Sequence, residues 1–152
     1  MKNRKNTRKL LLDTSFLLPT FGIEVGNEVL ECLAKLAETE TEIYYSNFSV
    51  LESLWIATKY LNNQQFDEQR FDLGLKSLIE SQRYKLIKED SKVFEYALKL
   101  YRLGHKDMID NILYSNSIRF DNNFMTVDEE LRKFIQNRKL NDTLVFPKEI
   151  LK

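Results

Sequence analysis

Cysteine is nearly absent from this chain: Cys32 stands alone among 152 residues, so no intramolecular disulfide can staple the fold. Histidine also occurs once, as His105. One of each cannot assemble a Cys/His zinc site, a two-histidine acid/base mechanism is excluded, and a serine or cysteine nucleophile could recruit only His105 as its base. His105 follows Leu103-Gly104, a helix-ending pair, and reads as a solvated C-terminal cap. Only 4 glycines and 2 prolines are present, which argues against long disordered or collagen-like stretches. No apolar run approaches the roughly 18–20 residues that span a bilayer, and no basic-apolar-cleavage pattern of a signal peptide opens the chain. A reducing cytoplasm, with no membrane contact, is therefore the expected setting. Neither Gly-x-Gly-x-x-Gly nor Gly-x-x-x-x-Gly-Lys occurs, which argues against dinucleotide-binding and P-loop domains. Net charge is absent too, with 23 basic residues against 23 acidic ones, whereas a generic polyanion binder usually carries a basic excess.

What is present suits one globular domain. Hydrophobic residues make up 43% of the chain and charged residues 30%, and a chain of this length buries roughly 70% of its unfolded surface. We expect a basic tail over residues 1–8 and a single domain over 9–152. The stretch from Met1 to Lys9 holds five basic residues and no acid, a solvated tail or a phosphate-attracting arm near the mouth of a site. Cys32 lies in an apolar-periodic segment and reads as a small buried hydrophobe.

Periodicity divides the chain into alternating elements. Residues 9–18 are short, almost wholly apolar and followed by Pro19, which predicts a strand buried on both faces. Residues 24–40 carry apolar side chains at spacings of three and four, an amphipathic helix. A second strand is expected at 43–45, a helix from Ser49 to about 61, another at 66–82 and a short strand at 84–88. Helices follow at 92–103 and 107–118, a strand at 123–127, a helix at 129–137 and a last strand at 143–146. Strands alternating with helices predict an α/β fold with a mainly parallel sheet. Ligands of such sheets collect at the carboxyl ends of the strands.

Four acids stand in such places. Asp13 interrupts a buried apolar strand, where an unpaired charge costs on the order of several kcal/mol. Glu52 follows the second strand, although Ser49-Val50-Leu51-Glu52 also fits a capping box. Asp110 lies one turn into a helix capped by Asp107. Asp128 ends Phe124-Met125-Thr126-Val127-Asp128 and is itself a favoured N-cap. Like charges gathered this closely cannot all stay ionised unaided. A bound divalent cation relieves the repulsion, and oxygen-only ligands select Mg²⁺ or Mn²⁺.

In order and setting these segments resemble the PIN-domain nucleases. Leu10-Leu11-Leu12-Asp13-Thr14-Ser15-Phe16-Leu17 is similar to that family's opening strand, with its acid followed by a small hydroxyl residue. Ser49-Val50-Leu51-Glu52 resembles the second motif, Met108-Ile109-Asp110-Asn111-Ile112-Leu113-Tyr114-Ser115 the third, and Phe124-Met125-Thr126-Val127-Asp128 the fourth. The chain departs at Asn111, where the family usually has a small residue, and at Ser115 to Ser117, which are more polar than usual. The resemblance implies a three-layer α/β/α sandwich, hydrolysis of single-stranded RNA assisted by Mg²⁺ or Mn²⁺, and often a homodimer. Many small members are toxins of the VapC type, held inactive by a cognate antitoxin.

On this reading Asp13, Glu52, Asp110 and Asp128 form the catalytic and metal-binding set. Thr14, Ser15 and Thr126 are candidate substrate-binding residues, and Arg132, Lys133 or the basic arm would grip the RNA backbone. The rival is a catalytically weak or inactive module of the same fold that binds RNA or protein. A phosphotransfer enzyme of the haloacid-dehalogenase type would want a second Asp where Ser15 stands. Trp55, Tyr60 and Phe66 are expected in ordinary core, with a dimer or partner surface as the alternative.

Overall fold

The computed structural model describes residues 8–152. Leu10, Leu11 and Leu12 are fully buried in the first strand, β1 (Lys9–Leu12). Their side chains alternate between two separate cores: Leu10 and Leu12 join one cluster and Leu11 the other. That alternation makes β1 the middle of a sandwich. It pairs in parallel with β2 (Glu42–Tyr45) on one side and β4 (Asn123–Met125) on the other. β3 (Lys85–Leu86) and β5 (Leu144–Val145) complete an all-parallel sheet in the order β3-β2-β1-β4-β5.

One core is formed with α1 (Asn27–Ala37), α2 (Asn47–Thr58) and α3 (Glu68–Glu80). The other is formed with α4 (Ser91–Leu103), α5 (Met108–Arg119) and α6 (Glu129–Asn137); a short α7 (Pro147–Ile150) ends the chain. This is the expected three-layer α/β/α sandwich. Cys32 is buried against Met125, as a small hydrophobe would be.

The strand expected over 9–18 stops at Leu12. Two 3-10 turns follow, Thr14–Phe16 and Leu18–Phe21. Phe16, Leu17, Leu18 and Phe21 stay buried there, so the apolar pattern reported burial rather than strand backbone. Gly74 of α3 lies so close to this segment that a Cβ would come within 2.1 Å of the Thr20 carbonyl oxygen. α2 also starts earlier than expected. Its N-cap is Ser46, whose Oγ accepts from the Phe48 N–H at 3.1 Å. Ser49 is therefore inside the helix, and the capping box that would have explained Glu52 does not exist.

α5 is buried from Asp110 through Ser117, so its polar residues must find partners inside the protein. Ser115 Oγ donates to the Asn111 carbonyl at 2.6 Å, Ser117 Oγ meets Thr143 Oγ1 at 2.6 Å, and Asn116 Nδ2 donates to Glu89 at 3.1 Å. The polar departure from the family pattern is thus accommodated except at Asn116 Oδ1, which has no partner among the described residues. Trp55 (55% exposed) and Tyr60 (41%) are on the surface, not in the core. Only Phe66 packs inward, against the cluster that contains Phe71.

Candidate active site

Parallel register brings the acids together. Leu12 pairs with Met125, and the Asp13 N–H donates to the Met125 carbonyl at 2.9 Å. Asp13 thus stands at the carboxyl end of β1, beside Thr126 at the end of β4, rather than inside a strand. Its Oδ1 accepts from the Thr14 N–H at 2.6 Å and its Oδ2 from the Thr126 hydroxyl at 2.8 Å. The same Thr126 oxygen accepts from the Asp128 N–H at 3.1 Å. Thr126 is fully buried, and its hydroxyl joins two of the acids.

Asp128 caps α6, with Oδ1 accepting from the Glu130 and Leu131 amides at 2.9 and 3.1 Å. Asp107 caps α5 by accepting from the Asp110 N–H at 3.1 Å, which places Asp110 in the first turn of a buried helix. Glu52 is half-buried on α2. Thr14 is almost fully buried, and its hydroxyl lies beside Glu52 yet makes no hydrogen bond of normal geometry. Ser15 is half-buried in the same turn.

Proton affinities report the crowding. Burial is the largest influence on Asp13 and lifts its carboxyl to about 7, against the hydrogen bonds from Thr126 and Thr14; the charges of Glu52 and Asp128 lift it further. Asp110 is pushed up to about 10, first by burial, then by a hydrogen bond to Asp128 and the charges of Asp13, Asp107 and Asp128. Glu52 is also raised, by burial and by Asp107, while Thr14 works the other way. Burial alone would raise Asp128, but the Asp110 hydrogen bond, two helix amides and the charge of His105 together lower it. The hydrogen bond between Asp110 and Asp128 thus raises the proton affinity of Asp110 and lowers that of Asp128.

His105 was expected to be solvated and is not. It is half-buried, its ring packs on Phe134 with centroids 5.2 Å apart, and one ligand atom from each of His105, Asp110 and Asp128 falls within 4.8 Å of the other two. A ring nitrogen therefore stands beside the carboxylate oxygens, which were expected to be alone there. The sequence cue was slight: the sole histidine stands five residues before Asp110, just past a helix-ending glycine.

Arg8 and Lys9 are at the amino end of β1, opposite the acids, and line a depression with Asn122 and Asp142; the rest of the basic arm falls outside the described residues. Arg132 is held by Glu149 at 3.1 Å and stacks on Phe146, 3.5 Å from the ring centroid. Lys133 is exposed.

Comparison with solved structures finds the same fold in proteins of low identity. A toxin–antitoxin complex from Klebsiella pneumoniae matches with a TM-score of 0.59 at 18% identity, covering 91% of this chain and 97% of that one. VapBC2 from Rickettsia felis, bound to a DNA fragment from its promoter, matches at 0.60 and 15%, covering 91% and 96%. FitAcB from Neisseria gonorrhoeae matches at 0.58 and 12%, covering 91% and 98%. No curated protein matches the chain. Among known families, the PIN domain matches residues 10–135. With most of its length covered by that match, and with its acids gathered at the carboxyl edge of a 3-2-1-4-5 parallel sheet, the chain belongs to the PIN-domain family.

Proposed function

We propose that the protein is a divalent-metal-dependent endoribonuclease that hydrolyses single-stranded RNA at the Asp13–Asp110–Asp128 cluster. The observation that carries this reading is the mutual perturbation of those acids: burial and like charge drive two of them toward protonation, a cost that a cation removes. The unpartnered, buried Thr14 hydroxyl also fits a hydrated ion, since a coordinated water is a natural partner for it. Mg²⁺ or Mn²⁺ bound there would lower the pKa of a coordinated water and offset charge on the phosphate.

The residues divide the remaining work. Asp110 and Asp128 would hold the ion through carboxylate oxygens. Asp128 has Oδ1 committed to the α6 amides, so Oδ2 is its free ligand atom. Thr126 holds Asp13 and the Asp128 backbone in register, which makes it a positioning residue rather than a surface for RNA. Glu52, half-buried and with its proton affinity raised, would accept a proton or hold an ion through water, and Ser15 would meet a phosphate oxygen.

A protein partner is part of this reading. Leu51, Leu54 and Trp55 of α2 are exposed, as are Phe94, Leu98 and Tyr101 of α4. Phe48 of α2 packs edge-on against Phe94 at 5.7 Å, so the two helices are neighbours. Uncovered apolar side chains of this kind mark interaction surfaces. The neighbours of this fold come from toxin–antitoxin complexes, so a cognate antitoxin or a second copy of the chain is the expected occupant.

The test is cleavage of a generic single-stranded RNA with Mn²⁺ or EDTA, comparing wild type with Asp13→Asn and Glu52→Gln. Cleavage that needs the metal and vanishes in Asp13→Asn is expected, with Glu52→Gln about 10–100-fold slower. Metal binding without turnover favours the rival reading, a binding module of the same fold.

A further inference from the structure

We propose that His105, locked in place by Asn111, is a nitrogen ligand of the ion held at this cluster and biases the site toward transition metals over Mg²⁺. The inference rests on the metal-site reading above and concerns two residues that reading does not use.

Asn111 is the observation that calls for explanation. It is fully exposed to the protein interior and not at all to solvent, on a helix where a buried amide is costly unless satisfied. Both ends of its side chain are spent on one residue. Nδ2 donates to the His105 carbonyl at 2.8 Å, and Oδ1 lies 2.7 Å from His105 Nδ1. An amide oxygen only accepts, so Nδ1 carries the hydrogen. In the neutral ring Nε2 is then left with its lone pair, the form that binds metals. Histidines that ligate metals almost always donate their other N–H to an oxygen in this way.

The backbone supports the same placement. Gly104 ends α4 with φ of +118°, and the His105 N–H donates back to the Leu100 carbonyl at 3.2 Å. The ring is backed by Phe134, while Arg138 reaches across to the Leu103 carbonyl at 2.6 Å. The ring is thus held beside Asp110 and Asp128, with one of its nitrogens and one oxygen of each carboxylate lying within 4.8 Å of one another. Oxygens bound to one small divalent ion at about 2.1 Å lie roughly 3–4 Å apart, so small side-chain adjustments close the set. The buried Thr14 hydroxyl, beside Glu52 in the turn that follows Asp13, makes no hydrogen bond of normal geometry.

An imidazole suits Co²⁺, Ni²⁺ or Zn²⁺ better than it suits Mg²⁺, which favours oxygen donors. The alternative is a protonated His105 that simply pairs with Asp128. Pulsed EPR of the full chain loaded with Mn²⁺, together with calorimetric titrations of Co²⁺ and Mg²⁺, separates the two. We expect ¹⁴N hyperfine coupling in wild type that is lost in His105→Gln. Co²⁺ affinity should fall about 10–100-fold in both His105→Gln and Asn111→Ala, with Mg²⁺ affinity changing by less than about threefold. Mn²⁺ bound without nitrogen coupling in wild type, coupling that persists in His105→Gln, or equal losses for both metals overturns the inference and leaves the metal site standing. Failure of the wild type to bind Mn²⁺ at all overturns both. The wild-type spectrum and His105→Gln decide the matter even if Asn111→Ala does not fold.

Discussion

Replacing Asp110 by Asn in metal-free buffer should make the protein more stable, although it destroys the proposed site. Asp110 is 6% exposed and its folded carboxyl is raised far above the ordinary 3.8. Between those values the folded chain keeps a proton that the unfolded chain has released. Stability is therefore lost as pH rises, by about 1.4 kcal/mol per pH unit for one such group. From pH 4 to pH 7 the ceiling is about 4 kcal/mol, and we expect about 2–4 after local relaxation. Asparagine is nearly isosteric, carries no charge, and its Nδ2 can still donate to Asp128.

Unfolding of both proteins in EDTA, followed by circular dichroism from pH 5 to pH 8, measures the effect. At pH 7 the variant should melt roughly 5–15 °C higher, at about 2–4 °C per kcal/mol for a chain of this size. It should retain only the share of the pH slope due to Asp13, whose carboxyl is raised to about 7, and to Glu52, which is also raised. Mn²⁺ then closes most of the gap: wild type gains about 2.7 kcal/mol at one hundred times the dissociation constant, and the variant gains little. A variant that is less stable than wild type at pH 7–8 in EDTA, with an unchanged pH slope, would refute the claim that these carboxylates repel one another in a buried site.

Further outcomes follow from the same geometry. Thr126→Val removes the hydroxyl that joins Asp13 Oδ2 to the Asp128 N–H; we expect a loss of about 1–3 kcal/mol in denaturant titration and metal affinity about 10–100-fold weaker by calorimetry. Gly74→Ala drives a methyl group into the Thr20 carbonyl, and thermal melts should show a cost of about 1–3 kcal/mol. Its effect on metal affinity reports whether strain in the Leu18–Phe21 turn reaches Asp13. Tyr114→Phe deletes the buried hydroxyl that donates to the Asn141 carbonyl at 2.5 Å; a loss of about 1 kcal/mol is expected on urea unfolding, with metal binding unchanged.

Local chemistry accounts for what could be read without coordinates. Three consecutive leucines before Asp13 demand burial on both faces of a strand, and the apolar spacing of Val29, Cys32 and Leu36 demands a helix. α6 falls at Glu129–Asn137 as expected because Asp128 caps it and its apolar residues keep strict helical spacing. Errors arose where burial and backbone part company. Phe16 to Leu18 are buried in turns, so their hydrophobicity imitated a longer strand. Ser49 imitated a cap because Ser46, the true one, looks the same in sequence.

The order of the elements and the identity of the acids were set by the amino-acid sequence, since each depends on contacts within a few residues. Which side chains meet was decided by the parallel register of β1 with β2 and β4 and by the burial of α5 against α4. The strand pairings join Lys9 to Glu42 and Leu10 to Asn123, and no local pattern encodes them. His105 shows the difference best: alone it is a polar residue after a helix, and only Asn111, reaching back from the next helix, turns its ring toward the carboxylates.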